Sequence, residues 1–288
     1  MWWAKAESTS NDSASVPTRG VDLALLALPI TCYHNPEAAC ESILGDLVPA
    51  RKPRRILVVG GGPAGLKAAE IAARRGHGVT AVERSAALVG KLRAAAVLPA
   101  AAELFHAVEW VVQQLDQFGV TTQLGTVVDE ASIADHDSDE VVLATGSRFE
   151  PERVLGDASD GSVPVISTEE AMATGQRRMS SSWIDSAPHG AVRAAERLAS
   201  CGSTVDRVSP LPRVGRHLGA THGFEIVLHL LAAGCRVEPN VDAVALGGGA
   251  VRLRHTLTGE TTERNYALVR GAVERPAGRA ARGPYGPG

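Results

Sequence analysis

The feature that most limits this chain is a glycine cluster set directly behind an apolar run. Ile56-Leu57-Val58-Val59 is a continuous stretch of β-forming side chains, as in a strand buried on both faces. Gly60-Gly61-Gly62-Pro63-Ala64-Gly65 follows at once and fits G-x-G-x-x-G. Pro63 stands at the first position of a helix, where a missing N–H is no loss. Leu66, Ala69, Ile71 and Ala72 carry that helix to Gly76, and Val79 to Val82 form a second strand closed by Glu83. Gly60 permits the tight turn, Gly62 leaves room for a pyrophosphate against the backbone, and Gly65 lets helix and strand pack closely. The free N–H groups and the dipole of the first helical turn favour phosphate charge. Glu83 can accept hydrogen bonds from both hydroxyls of an ADP ribose and would repel a 2′-phosphate. A tight turn in an unrelated α/β protein would share the glycines. The complete order of strand, loop, helix, strand and acid favours a nucleotide.

The rest of the chain predicts an α/β protein with two stretches of similar organisation. In the first, a long helix from about Ala101 to Phe118 is followed by short strands near Thr121–Gln123 and Val141–Ala144. The second runs through a strand at Trp183-Ile184, a helix at about Gly190–Ser200 and a strand at Thr204–Val208. A helix at about Gly219–Ala233 and β-like pieces at Arg236–Glu238, Val241–Leu246 and Val251–Thr256 complete it, with Gly247-Gly248-Gly249 as a hairpin turn. Residues 1–20 are polar and read as a disordered tail, and 21–54 as a linker segment. Residues 55–150 form the first domain and 151–270 the second. Residues 271–288, rich in Gly, Pro and Arg, read as another disordered tail. A net charge of −3 gives no case for nucleic-acid binding. No apolar run approaches the roughly 20 residues of a membrane span, no secretory signal is visible, and four Cys are no disulfide framework. The expected setting is the cytoplasm. Ala144-Thr145-Gly146 after the strand Val141–Leu143 is the crossover seen in flavoproteins with two dinucleotide-binding domains, where small residues let the backbone pass close to the cofactor.

Ile30–Pro36 (ITCYHNP), the stretch from Arg54 to Arg84, Leu124-Gly125-Thr126 and Val141–Ser147 (VVLATGS) together resemble one family. It is the C-terminal half of the large flavin oxidoreductases related to 2,4-dienoyl-CoA reductase, trimethylamine dehydrogenase and old yellow enzyme. The resemblance implies a Rossmann-like domain holding FAD, or ADP only, and a second, smaller Rossmann-like domain of NAD(P)-binding type. Carried over by residue, the implied cofactor contacts are Gly60, Gly62, Pro63, Ala64, Glu83, Arg84, Gly90, Lys91, Leu92, Val128, Ala144 and Gly146. Val89 stands where the family usually has glycine, and is expected to narrow the approach to the flavin-side phosphate and ribityl chain. In that family an FMN-bearing (β/α)8 barrel and a [4Fe-4S] segment come first. About 30 residues precede Cys32 here, against the roughly 200 or more of a barrel. Cys32 matches the last of four cluster ligands and the other three are absent, so no cluster is expected in this chain. The family's late flavin-closing segment is not recognisable after Val269, which gives the expectation of a truncated relative.

The other constellations read blandly. Asp135, His136, Asp137, Asp139 and Glu140 suit a solvated loop better than a cation site. His217, His222 and His229 lack the i, i+4 spacing of a zinc helix, and Ser180-Ser181-Ser182 lacks a nucleophile-elbow pattern. The loop Asp185–Gly190 has one glycine and would crowd a pyrophosphate, which favours a structural second domain, with NAD(P)H kept as a candidate ligand. Arg213 reads as a solvated loop residue, with a 2′-phosphate contact as the alternative. The expected function is an FAD-dependent oxidoreductase module passing electrons between a nicotinamide and a partner or substrate. The candidate partner is an FMN-barrel subunit. The alternative is a truncated, non-catalytic nucleotide-binding protein.

Overall fold

A computed structural model describes residues 19–32, 35, 37–95, 102–149, 158–167, 170–171, 180–184, 190–214, 220–270 and 274–276. In chain order its helices are α1 (Arg19–Leu25), α2 (Glu41–Leu44), α3 (Pro63–Arg74), α4 (Leu92–Ala95), α5 (Ala102–Gln117), α6 (Gly190–Ser200) and α7 (Ala220–Ala232). The strands are β1 (Arg55–Val59), β2 (Gly78–Glu83), β3 (Thr121–Leu124), β4 (Glu140–Leu143), β5 (Ser147–Phe149), β6 (Val165–Ile166), β7 (Ser180–Ile184), β8 (Thr204–Ser209), β9 (Arg236–Pro239), β10 (Val241–Gly247), β11 (Ala250–His255), β12 (Thr261–Asn265), β13 (Leu268–Arg270) and β14 (Glu274–Pro276).

The first sheet has the order β3-β2-β1-β4, all parallel. Alternation along β1 sends Val58 toward α3 and α5, where it packs with Leu66, Ala69 and Leu115. Leu57 and Val59 pack on the opposite face with Val82, Val128 and Val141. Both faces of β1 are therefore covered, which is why its sequence is an unbroken apolar run. Each fully buried Leu or Val here is worth about 1.5–3 kcal/mol. α3 begins at Pro63 and gives way to a turn in which Gly76 is left-handed (φ +88°). Its buried Glu70 is held by Lys67 Nζ at 2.6 Å and by Arg74 at 3.0 Å.

The second sheet has the order β6-β13-β7-β8-β9, again parallel. Its β9-β8-β7-β13 portion repeats the order of β3-β2-β1-β4, so one topology occurs twice. The antiparallel meander β10-β11-β12 joins β9 to β13 and covers one face through Val208, Leu246, Val251, Leu253 and Tyr266. The other face packs Val205 with Ala194, Leu198 and Leu230 of α6 and α7. The expected hairpin turn is present: Gly248 (φ +60°) and Gly249 (φ +79°) both adopt the left-handed geometry that a two-residue loop needs.

The structure corrects two expectations. The second unit, expected to be the smaller, carries the larger sheet system, because β6, β12 and β13 are too short or too polar to show a period in the sequence. Residues 271–288 were expected as a tail without structure, yet Glu274–Pro276 pairs antiparallel with Ser147–Phe149. A two-stranded ribbon is held by backbone hydrogen bonds and needs no apolar pattern. The acidic run is the exposed stretch before β4 that the sequence suggests, with surface ion pairs added. Ser132–His136 is a 3₁₀ turn, Asp137 and Asp139 pair with Arg55, and Glu140 pairs with Arg54. The remainder of that tail and residues 1–18 lie outside the described residues.

Candidate functional site

The glycine loop leaves β1 and turns at once into α3. Gly60 (φ +113°) needs glycine twice over: its backbone is left-handed, and a Cβ would overlap the carbonyl oxygen of Ala144. Ala144 is held there by its N–H, which donates to the Val59 carbonyl at 2.8 Å. A Cβ on Gly65 would overlap the Gly60 carbonyl oxygen, so this glycine sets how closely helix and loop pack. Gly62, the N-cap of α3, has an extended backbone, and a Cβ on it would meet nothing within 4 Å. The space that glycine is expected to leave for a ligand is therefore present. Behind it Pro63 lacks an N–H, and the N–H groups of Ala64 and Gly65 belong to the first turn, which has no intrahelical acceptors.

Glu83 closes β2 beside this loop and is 7% exposed. Its Oε2 accepts the Gly61 N–H at 2.7 Å and its Oε1 accepts the Ser85 N–H at 2.8 Å. Burial pushes the carboxyl pKa up, but the N–H groups of Ser85 and Gly61 outweigh it and hold the group below the usual carboxylate range. Each carboxylate oxygen has a second acceptor direction, so the two backbone bonds orient Glu83 and leave it able to accept ribose hydroxyls. Gly61 and Ser85 were not among the expected site residues. Gly61 fills a variable place in the motif, and Ser85 carries no sequence signal at all.

The segment after Glu83 folds back onto the glycine loop. Val89 donates its N–H to the Gly61 carbonyl at 2.7 Å, and a Cβ on Gly90 (φ +54°) would lie 3.4 Å from Gly62 Cα. Contrary to expectation, the Val89 side chain does not narrow the site. The side chain is buried in the core beside Val58, Leu66 and Leu115. The backbone carries the consequence: Val89 has φ +90°, a region that costs a β-branched residue on the order of 1–3 kcal/mol. Leu92 also packs against this core, whereas Arg84 and Lys91 are exposed. The N–H groups of Gly125 and Thr126 donate to the carbonyls of Ser85 (2.9 Å) and Glu83 (3.0 Å), which brings the Gly125–Val128 stretch alongside. Val128 itself packs against Leu57, Val59 and Val82. Gly146 is left-handed (φ +76°) just past β4. Of the expected residues, the structure thus brings together Gly60, Gly62, Glu83, Gly90 and Ala144. Pro63 and Ala64 follow as the first residues of α3.

The second unit lacks the equivalent acid. In the first sheet Val59 pairs with Val82 and Glu83 follows. In the second, Ile184 pairs with Val208 and Ser209 follows. Ser209 is wholly buried. Arg213 is exposed, and the loop 185–189 lies outside the described residues, as do His217 and the side chain of His222. Asp206 in β8 accepts the Tyr266 hydroxyl at 2.7 Å and lies within 3.5 Å of Arg264, which also pairs with Glu238. This partly buried network ties the meander to the parallel sheet. Among the described residues no group of His, Cys, Asp and Glu could hold a metal ion. Cys32 is an exposed free thiol, and burial pushes the Cys235 thiol up to about 11.

Two parallel sheets of one topology, each with helices on a face, and a glycine loop with its acid define an FAD/NAD(P)-binding oxidoreductase fold. The sequence profile of the family "Pyridine nucleotide-disulphide oxidoreductase" matches residues 54–278, and the chain belongs to that family. Among curated proteins, it is 34% identical over 211 residues to "N,N-dimethylglycine/sarcosine dehydrogenase" of Chromohalobacter salexigens, covering 70% of this chain and 30% of that protein. It is 38% identical over 117 residues to "Multifunctional alkene reductase/demethylase OYE" of Caballeronia cordobensis, covering 40% of this chain and 17% of the relative. The chain thus spans less than a third of the length of these relatives. Histamine dehydrogenase from Rhizobium sp. 4-9 shares the fold with a TM-score of 0.82 at 22% identity, over 90% of this chain and 40% of that one. Thioredoxin reductase from Lactococcus lactis follows with a TM-score of 0.56 at 18% identity, over 77% of this chain and 78% of its own. The resemblance to the C-terminal half of the large flavin oxidoreductases holds. Among the described residues no helix is long and apolar enough to cross a membrane.

Proposed function

We propose that the chain is the FAD- and nicotinamide-dependent module of a cytoplasmic flavin oxidoreductase, passing electrons between NAD(P)H and a partner that carries an FMN barrel. The observation that supports this best is the Glu83 carboxylate, aimed by the N–H groups of Gly61 and Ser85 beside the open space at Gly62. In this reading Glu83 takes the ADP ribose and the first turn of α3 faces the pyrophosphate. Ala144 and Gly146 let the backbone pass the cofactor, while Gly90, Lys91 and Leu92 face its flavin side. A bound flavin would supply hydride acceptance and electron transfer. The protein's part is to bind, orient and shield it. The second unit takes the nicotinamide cofactor or serves as scaffold; the single glycine of the loop Asp185–Gly190 favours scaffold. Cys32 is read as an ordinary thiol without an iron–sulfur cluster.

A second reading, a nucleotide-binding protein without redox activity, is favoured by one observation. The hydrogen bonds that build the site, from Gly61 and Ser85 to Glu83, serve the ADP ribose and not the flavin. Flavin absorbance separates the two. The protein incubated with FAD and desalted should stay yellow and lose that colour when NADH or NADPH is added without oxygen. A chain that binds ADP yet never retains flavin would leave only the second reading.

A further inference from the structure

Val89 keeps the backbone of the glycine that the family usually has at this position, but carries a side chain there. Its backbone sits at φ +90°, yet it is β-branched and only 6% exposed. Strained positions persist only where their surroundings over-determine them, and they gather at ligand clamps. Two opposing effects meet here. The strain favours release of the Leu88–Gly90 segment. The side chain, packed with Val58, Leu66 and Leu115, and the N–H donated to the Gly61 carbonyl hold it in place. What this balance controls is local. The segment touches the glycine loop at Gly61 and Gly62, the residues beside the open space at the α3 N-terminus. A Cβ on Gly61 would lie 2.7 Å from Leu88 Cδ2, and one on Gly90 would lie 3.4 Å from Gly62 Cα.

We infer that Val89 is a positioning residue for the pyrophosphate: its buried side chain holds the Leu88–Gly90 segment, against backbone strain, as the far wall of the phosphate cradle. The inference rests on the nucleotide reading of the glycine loop and deepens it. Alanine at this position keeps the strained Cβ and loses the packing. Glycine loses the packing too, but adopts φ +90° freely. Packing alone would make both variants equally poor. Packing working against strain makes Val89→Gly the better of the two.

The test measures ADP and AMP binding by calorimetry in the wild-type chain, Val89→Ala and Val89→Gly. Amide hydrogen exchange at residue 89 is followed without ligand. Val89→Ala should weaken ADP about tenfold and AMP less than about threefold, because only ADP spans both phosphate positions, and Val89→Gly should recover ADP to within about threefold of wild type. Protection of the residue 89 amide should fall in Val89→Ala and return in Val89→Gly, with each value normalised to the unfolded chain. Equal ADP affinity in all three proteins overturns the role of Val89 and leaves the nucleotide site standing. A Val89→Gly no better than Val89→Ala, or equal losses of ADP and AMP, also overturns it. If the wild-type protein and both variants bind neither nucleotide, the reading of the glycine loop fails with it.

Discussion

Gly62→Ala adds a methyl group that meets nothing within 4 Å, on a backbone that alanine adopts freely. Its stability should stay within about 1 kcal/mol of wild type, while ADP affinity falls tenfold or more. Gly60→Ala and Gly65→Ala collide with backbone carbonyl oxygens and should lose about 2–4 kcal/mol in urea unfolding. The motif cannot distinguish these glycines; the space around each can. Glu83 gives a second prediction at this scale. Its folded pKa is depressed, so its contribution is present above the unfolded value of about 4.3 and is lost as pH falls through the folded value. Glu83→Gln should therefore cost about 1–3 kcal/mol at pH 7, from weakened bonds to Gly61 and Ser85. Its urea midpoint should approach that of wild type in strongly acidic buffer. A pH-independent difference would show that the charge of Glu83 is not what the loop uses.

At the scale of elements, the hairpin β10–β11 is tied to an earlier segment by one carboxylate. Asp160 accepts N–H groups from Ser162 and Gly248, and Ser162 Oγ accepts the N–H of Gly249. Hydrogen bonds from the Ser162 hydroxyl and backbone, then from Gly248, hold the Asp160 carboxyl at about 2. The lowered value means that the tie is intact above the ordinary aspartate range and is lost as pH falls through about 2. Asp160→Asn should raise exchange of the Gly248 amide at pH 5 and have little effect near pH 2, measured as protection factors. The hairpin was legible in the sequence because three consecutive glycines interrupt two β-forming runs. Its tie to Asp160 was not, since 88 residues separate Asp160 from Gly248 and no local pattern links them. β6, β13 and β14 escaped for a related reason: strands of two or three residues contain no measurable period and exist through their neighbours.

For the whole molecule, the hydrogen bonds that build the proposed site gather at its ADP half, where Gly61 and Ser85 hold Glu83 beside the first turn of α3. Binding should then come mainly from the ADP half, and FAD and ADP should bind within about tenfold, or 1.4 kcal/mol, of each other in a competition titration. A much larger preference for FAD would show that the flavin half is complete. The sequence by itself determined the βαβ unit, its glycine loop and Glu83. The physical requirements there are local: a strand buried on both faces, a turn without Cβ atoms and an acid one strand away. Tertiary structure alone decided the rest. It set the Gly61 and Ser85 N–H groups on Glu83, put Ser209 at the second unit's acid position, and turned Val89 into the core at φ +90°. Each depends on strand register or on the return of a distant segment. Register and return are fixed by which apolar faces the folded chain buries together, a property that no single stretch of residues carries.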